Sequence, residues 1–84
     1  MLRLAAEPDP IDIAVGRRMR RRRRQLDLSQ AFVATRLGVT RHQVQKYEGG
    51  VNRLSASALV RLASALETTV AELVGETGPG VGQL

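Results

Sequence analysis

The chain has 84 residues, no cysteine, and aromatic side chains at only 2% of its positions. A domain of this size without cysteine is not braced by disulfide bonds or by a Cys-based zinc site, so packing alone must hold it together. Hydrophobic residues make up 43% of the chain. They are mostly Leu, Val, Ala and Ile, a composition that favours packed helices and predicts an all-α fold.

Several classes of protein are disfavoured by the same sequence. It contains no apolar run of about 18 residues, the length that a membrane span needs, and its N-terminus lacks the apolar core of a signal peptide. We therefore expect a cytoplasmic protein without a membrane partner. It has one His, no phosphate-binding loop and no metal-ligand cluster, so we expect no enzyme activity, cofactor, metal or small-molecule ligand.

Both ends of the chain are predicted to lie outside the folded domain. Residues 1–10 contain two prolines and no helical period, and residues 75–84 are rich in glycine. We expect a flexible N-terminal arm over 1–10, a folded domain over 11–74 and a flexible C-terminal tail over 75–84.

The first predicted helix combines an apolar stripe with a dense arginine run. Asp12 is the expected N-cap, and Val15, Met19 and Leu26 recur at helical spacing. Arg22 interrupts this stripe, and we expect its methylenes to cover the edge of the core while its guanidinium points outward.

The arginine run occupies residues 17–24, where seven of eight residues are Arg, whereas the rest of the chain has six basic and eight acidic side chains. The net charge of +5 is therefore one local feature. Such a cluster can bind nucleic acid, contact an anionic membrane or simply be solvated.

Two short helices follow, and their spacing is the most informative feature of the chain. Ser29 is the N-cap of the second helix, and Gly38 supplies its left-handed end. Thr40 opens the third helix with Gln43 in capping-box spacing, and two glycines at 49–50 end it. Because the connection at Gly38 is short, the helices must cross steeply, and Ala34 is small enough for the close contact.

Two further helices complete the prediction. Ser55 is the N-cap of a fourth helix that runs to about Leu66, and Thr69 with Glu72 forms a capping box for a short fifth helix. The predicted core consists of Val15, Met19, Val33, Leu37, Val44, Leu59, Leu62, Leu66 and Leu73.

The family resemblance is carried by three segments: LSQAFVATRLGVTRHQVQKYEGG (28–50), NRLSASALVRLASAL (52–66) and TTVAEL (68–73). These segments resemble the phage repressor and Cro type helix-turn-helix proteins, the XRE family of transcription regulators. The likeness covers about 60 of the 84 residues. The chain most resembles a bacterial branch of this family that has a QVQKYExGxNRxSAS motif, which is present here as QVQKYEGGVNRLSAS.

The resemblance implies a five-helix phage-repressor-like domain whose helices 2 and 3 form the helix-turn-helix. It implies a small regulator, a repressor, that reads double-stranded DNA in the major groove with helix 3. The residues that match base-contacting positions are Arg41, His42, Gln45 and Lys46. The expected phosphate contacts are Gln30, Gln43, Asn52, Arg53 and, from the arginine run, Arg18.

The resemblance also implies an ion pair between Arg23 and Glu48, which would join the first helix to the end of the third. Glu48 is the only acidic residue in the 39 positions from 28 to 66. A solvated Arg23 is the competing interpretation.

Three residues depart from the family pattern. Asp27 stands where Gly is usual and can adopt the left-handed conformation at some cost. Gly49 replaces a polar or basic residue, so one phosphate contact can be absent. Phe32 occupies a usually polar position, which favours an alternative: an antitoxin or accessory protein-interaction module in which DNA binding is secondary.

Assembly is the last expectation. One recognition helix covers too few base pairs to specify a genomic site, so we expect a palindromic operator bound by a weak homodimer that DNA stabilises. Val70, Leu73 and Val74 are the expected dimer surface, with Phe32 as the alternative.

Overall fold

The protein folds into five α-helices joined by turns, in a computed structural model that describes residues 8–75. No strand occurs within that range. The helices are α1 (Pro10–Gln25), α2 (Gln30–Leu37), α3 (Arg41–Glu48), α4 (Ala56–Ala65) and α5 (Val70–Val74). The predicted all-α class and helix order are confirmed.

Polar side chains cap the four later helices where the sequence predicted them. Ser29, Thr40, Ser55 and Thr69 each accept a hydrogen bond from the backbone N–H three residues on. Such a bond satisfies a donor that the first helical turn leaves unpaired.

The predicted cap of α1 is wrong. Asp9, not Asp12, accepts from the backbone N–H of Ile11 at 2.7 Å, and Pro10 takes the first helical position. Proline suits that position because its fixed φ is helical and its missing N–H would have no partner there. The Asp-Pro pair was the available signal. The flexible segments expected over 1–10 and 75–84 otherwise lie outside the described residues.

The second half of the capping box predicted for α3 is wrong. The Gln43 side chain does not return to Thr40 but donates to Asn52 Oδ1 at 3.2 Å. In the box of α5, the Glu72 carboxylate accepts from the Thr68 hydroxyl and also interacts with the Thr69 backbone N–H, as the capping box predicts.

Left-handed backbone turns the chain between helices. Gly38 ends α2 with φ 71°, as predicted, and Asp27 takes φ 59° in the turn between α1 and α2. Asp27 therefore adopts the conformation that the sequence required of it.

The core consists of Tyr47 and aliphatic or Met side chains, with members from all five helices. Every predicted core residue is buried except Leu59, which is half-buried against the cluster, and Ala34 is also buried. Leu73 is 2% exposed, so it belongs to the core and does not form the dimer surface predicted for it. Val70 and Val74 also pack against the core.

Gly16 brings α1 against the end of α3. A Cβ atom at Gly16 would lie 2.4 Å from the carbonyl oxygen of Tyr47 and 2.7 Å from that of Glu48. Both atoms belong to backbone and do not give way as a side chain does. This close approach fixes the arginine run of α1 beside the helix-turn-helix.

Candidate nucleic-acid interface

Helix α3 presents a polar face to solvent and an apolar face to the core. Val44 and Tyr47 are buried, whereas Arg41, His42 and Gln45 are exposed. Lys46, also a predicted base contact, is half-buried. Gln45 lies about one helical turn after the adjacent Arg41 and His42, so the three share one side of the helix.

A buried ion pair joins the C-terminal end of α3 to α1. Arg23 Nε donates to Glu48 Oε2 at 2.7 Å and Arg23 Nη2 donates to Glu48 Oε1 at 3.1 Å. The two side chains are 11% and 4% exposed. Arg23 Nη1 also donates to the Leu28 carbonyl at 3.0 Å. One guanidinium thus joins α1, the turn before α2 and the end of α3.

The ion pair continues into the predicted DNA-contacting residues. Gln30 Nε2 donates to Glu48 Oε1 at 3.0 Å, and Gln45 Nε2 donates to Gln30 Oε1 at 3.3 Å. The hydrogen-bonded row Arg23–Glu48–Gln30–Gln45 therefore runs from the buried pair to the exposed face of α3. Sequence reasoning found its first link and missed the other two, which depend on side chains 15 or 18 positions apart.

The other predicted phosphate contacts also have partners within the protein. Gln43 and Asn52 are bonded to each other. Arg53 Nε donates to Asp12 Oδ2 at 3.1 Å, and Arg53 Nη2 lies 3.8 Å from Asp9 Oδ2. The Arg53 side chain is 69% exposed, so it remains accessible to an anion despite these acids.

Arg22 of the arginine run binds the end of α4. Arg22 Nε donates to the Leu66 carbonyl at 2.8 Å and Arg22 Nη2 to the Glu67 carbonyl at 3.1 Å. Its guanidinium thus caps the C-terminus of α4 and does not point outward as expected, because that helix end offers unpaired carbonyls.

The phosphate contact predicted for Arg18 is not supported. Arg18 Nη1 donates to the Leu73 carbonyl at 3.4 Å, and the side chain lines a cleft with Glu72 and Gly75. It therefore faces α5 and not the helix-turn-helix.

Arg20 and Arg24 lie beside the helix-turn-helix instead. They line a cleft together with Ser29, Gln30 and Arg41. Sequence reasoning missed them because seven neighbouring arginines give no signal for which ones face which helix.

The surface also carries one aromatic side chain. Phe32 is 38% exposed, and the Arg36 guanidinium carbon lies 5.5 Å from its ring centroid. This cation–π contact covers part of the ring.

Other site chemistry is sparse in the described part of the chain. No group of three or more His, Cys, Asp or Glu side chains is placed to hold a metal among residues 8–75. In the same range, no helix combines the length and hydropathy that a bilayer crossing requires.

The hydrogen bond from the Thr68 hydroxyl lowers the pKa of Glu72, with a further contribution from the Thr69 backbone.

Comparison with known proteins identifies the family. The model of a helix-turn-helix domain matches residues 14–74, which span α2 and α3 and the helices around them. The chain belongs to the XRE-type helix-turn-helix regulators.

The curated relatives of this XRE-type chain are regulators. One from Sinorhizobium medicae, described as an uncharacterized HTH-type transcriptional regulator, is 40% identical over 90 residues that cover 99% of this chain and 65% of the relative. The chain thus spans about two thirds of that relative's length.

Two solved structures have the same fold. The restriction-modification controller protein C.AhdI from Aeromonas hydrophila is 32% identical with a TM-score of 0.69, over 74% of this chain and 94% of that one. The P22 c2 repressor, solved in complex with a synthetic operator, is 27% identical with a TM-score of 0.67. That match covers 70% of this chain and 89% of the repressor.

Proposed function

We propose that this chain is a small transcriptional regulator, a repressor, that binds specific sequences in double-stranded DNA. The observation that carries the proposal is the exposed face of α3, where Arg41, His42 and Gln45 stand side by side. The only acid in α3, Glu48, is buried and paired with Arg23, so it does not repel a phosphate backbone.

We divide the contacts into two classes. Arg41, His42, Gln45 and Lys46 contact base edges, since Arg and Lys can donate to guanine and Gln can bond adenine in the major groove. Phosphates are held by Gln30, Gln43, Asn52 and Arg53, which fix the angle at which α3 enters the groove.

Gln30 is suited to its role by its internal partners. Its amide is already held by Glu48 and Gln45, so a phosphate contact requires little further ordering of the side chain. Gln45 is oriented by the same bond, which places one reader of the base edges before DNA arrives.

The operator we propose is palindromic and bound by two copies, with half-sites about 34 to 36 Å apart. The homodimer is weak in solution and stabilised on DNA, where two adjacent half-sites raise the effective concentration of the second copy. The protein then acts in the cytoplasm, associated with the nucleoid.

The test begins with selection of bound sequences from a random duplex pool. We expect the bound duplexes to share a symmetric consensus occupied by two copies. Bound duplexes without a common sequence would overturn the proposal. Sedimentation of the complex on the selected duplex reports the stoichiometry. Saturation at one copy on a symmetric site would overturn the dimer.

Four single variants then separate the two classes of contact. Arg41→Ala or Lys46→Ala should relax preference at one or two base pairs by about 1 to 3 kcal/mol. Gln30→Ala or Arg53→Ala should weaken binding about equally on every duplex. Thermal melting of each variant controls for folding, because Gln30 also contacts Glu48. Equal losses on selected and random DNA for all four would show that α3 does not read bases.

A protein-interaction role is the second candidate. It is favoured by Phe32, which is exposed at 38% on α2. An antitoxin or accessory module of this kind would show little of the salt-sensitive background binding to random duplex that a DNA-binding regulator shows. A gel shift at two salt concentrations separates the two candidates.

A further inference from the structure

The seven arginines of residues 17–24 divide into two sets in the structure. Three of them donate to partners in the protein: Arg18 to Leu73, Arg22 to Leu66 and Glu67, and Arg23 to Glu48 and Leu28. The other four have no hydrogen bond or ion pair with any residue in the described range 8–75, and they are Arg17, Arg20, Arg21 and Arg24. All four are exposed.

These four occupy one side of α1, since they follow one another at intervals of three, one and three residues. Only Arg20 and Arg24, one turn apart, also reach the helix-turn-helix. They share a cleft with Arg41 at the start of α3 and with Ser29 and Gln30 at the start of α2.

The cleft is positively charged and contains no unpaired acid. The side chains that line it are Arg20, Arg23, Arg24, Ser29, Gln30, Ala31 and Arg41. Two of these residues, Arg23 and Gln30, bind the Glu48 carboxylate, which the Arg23 guanidinium neutralises at 2.7 Å. Arg20, Arg24 and Arg41 therefore line one cleft with no ion-pair partner among residues 8–75, an arrangement that a bound anion would stabilise.

We propose that Arg20 and Arg24 bind phosphates of the DNA strand just outside the base pairs contacted by α3. This inference rests on the proposed function and adds a third contacting helix to it. Guanidinium groups donate to phosphate oxygens through a planar fork, and two of them one turn apart can grip neighbouring phosphates. Such contacts carry no base preference, so α1 contributes affinity and register while α3 contributes specificity.

Salt dependence provides the test. Each phosphate contact steepens the fall of log K with log salt by about 0.9. The double variant Arg20→Gln/Arg24→Gln should therefore have a slope shallower by about 2 than the parent. Between 50 mM and 200 mM salt the parent should lose about tenfold more affinity than this variant.

The matched control is Arg17→Gln/Arg21→Gln. It removes the same charge from the same exposed side of α1 but touches neither Arg20 nor Arg24. Its slope should stay close to that of the parent. An equal change in both double variants would mean that α1 acts only through its net charge and would overturn the proposal.

Ethylation interference on the selected duplex adds a positional readout. Ethylation of phosphates outside the α3 site should weaken DNA binding by the parent protein. This interference should disappear in Arg20→Gln/Arg24→Gln, while the base preference stays unchanged. Interference that persists in the variant would overturn the proposal.

The two proposals can fail separately. The salt slope can be measured on random duplex, because phosphate contacts do not depend on sequence. A difference between the two double variants without any selected consensus would support the α1 contact and overturn specific regulation. No salt-sensitive binding to any duplex would overturn both.

Discussion

Gln30 donates its amide to the carboxylate of Glu48 at 3.0 Å, so the start of α2 is bonded to the buried ion pair at the end of α3. The same carboxylate holds Arg23 of α1. One acid thus sets the relative positions of all three helices proposed to meet DNA. Replacement of Glu48 should lower the stability of the fold and, as a consequence, weaken DNA binding.

Replacement of Glu48 should be strongly destabilising. Glu48→Gln leaves the Arg23 guanidinium without a counter-charge at a site where the two side chains are 11% and 4% exposed. Loss of one partner from a fully buried pair costs about 3 to 5 kcal/mol. Chemical denaturation measures the change in the free energy of unfolding. Glu67→Gln makes the same chemical change at an exposed residue and should leave stability unchanged; equal stability of parent and Glu48→Gln would contradict the prediction.

Gly16→Ala should also destabilise the fold. The added Cβ would approach the Tyr47 carbonyl oxygen to 2.4 Å, and forced backbone movement of this kind costs about 1 to 3 kcal/mol. Gly49→Ala is the matched control, because its Cβ would meet nothing closer than 3.4 Å and its φ is −83°. Thermal melting should show a lower Tm for Gly16→Ala only. A Tm equal to that of the parent would place α1 and α3 further apart than the structure does.

Arg22 should stabilise the domain through the end of α4. Its hydrogen bonds to the Leu66 and Glu67 carbonyls are charge-assisted, and such bonds contribute about 1.5 to 3 kcal/mol. Arg22→Gln should lose an amount of this order, whereas Arg21→Gln, which removes an exposed charge, should not. Urea denaturation of both variants checks the difference, and two equal midpoints would refute the capping role.

Asp12→Asn should strengthen DNA binding. Asp12 holds the Arg53 guanidinium at 3.1 Å and so competes with phosphate for a residue proposed to contact the backbone. An exposed pair of this type is worth about 0.2 to 1 kcal/mol, which corresponds to a gain of up to about fivefold in affinity. Glu67→Gln controls for the change in net charge. If a gel shift shows that the two variants bind DNA equally well, Arg53 does not contact a phosphate.

Glu72 should titrate below its usual range. The Thr68 hydroxyl donates to its carboxylate and lowers its pKa below the ordinary 4.5. A depressed pKa adds stability that is fully present above the ordinary value and is lost as pH falls through the lowered one. Thr68→Val, which keeps the shape but removes the donor, should raise the pKa of Glu72. Carboxyl NMR titration of both proteins checks this, and an unchanged pKa would assign the shift to another cause.

The local signals of the sequence were sufficient for the helices and most of the core. Ser29, Thr40 and Ser55 begin helices where expected, and Gly38 ends α2 in the left-handed conformation. Caps and left-handed turns depend on a few neighbouring residues, so their pattern is legible in the chain. The Arg23–Glu48 contact was predicted for a different reason: the family resemblance implied it, and Glu48 is the only acid in a long stretch.

The tertiary structure alone decided what the arginines of α1 other than Arg23 do. Neighbouring arginines are chemically identical, and only helix packing sends Arg18 and Arg22 to backbone carbonyls and Arg24 into the cleft beside α2. The same holds for Leu73. Its apolar side chain would suit either a dimer surface or the core, and its exposure of only 2% assigns it to the core. Partners far apart in sequence are fixed by helix packing, which depends on the whole chain and not on any local window.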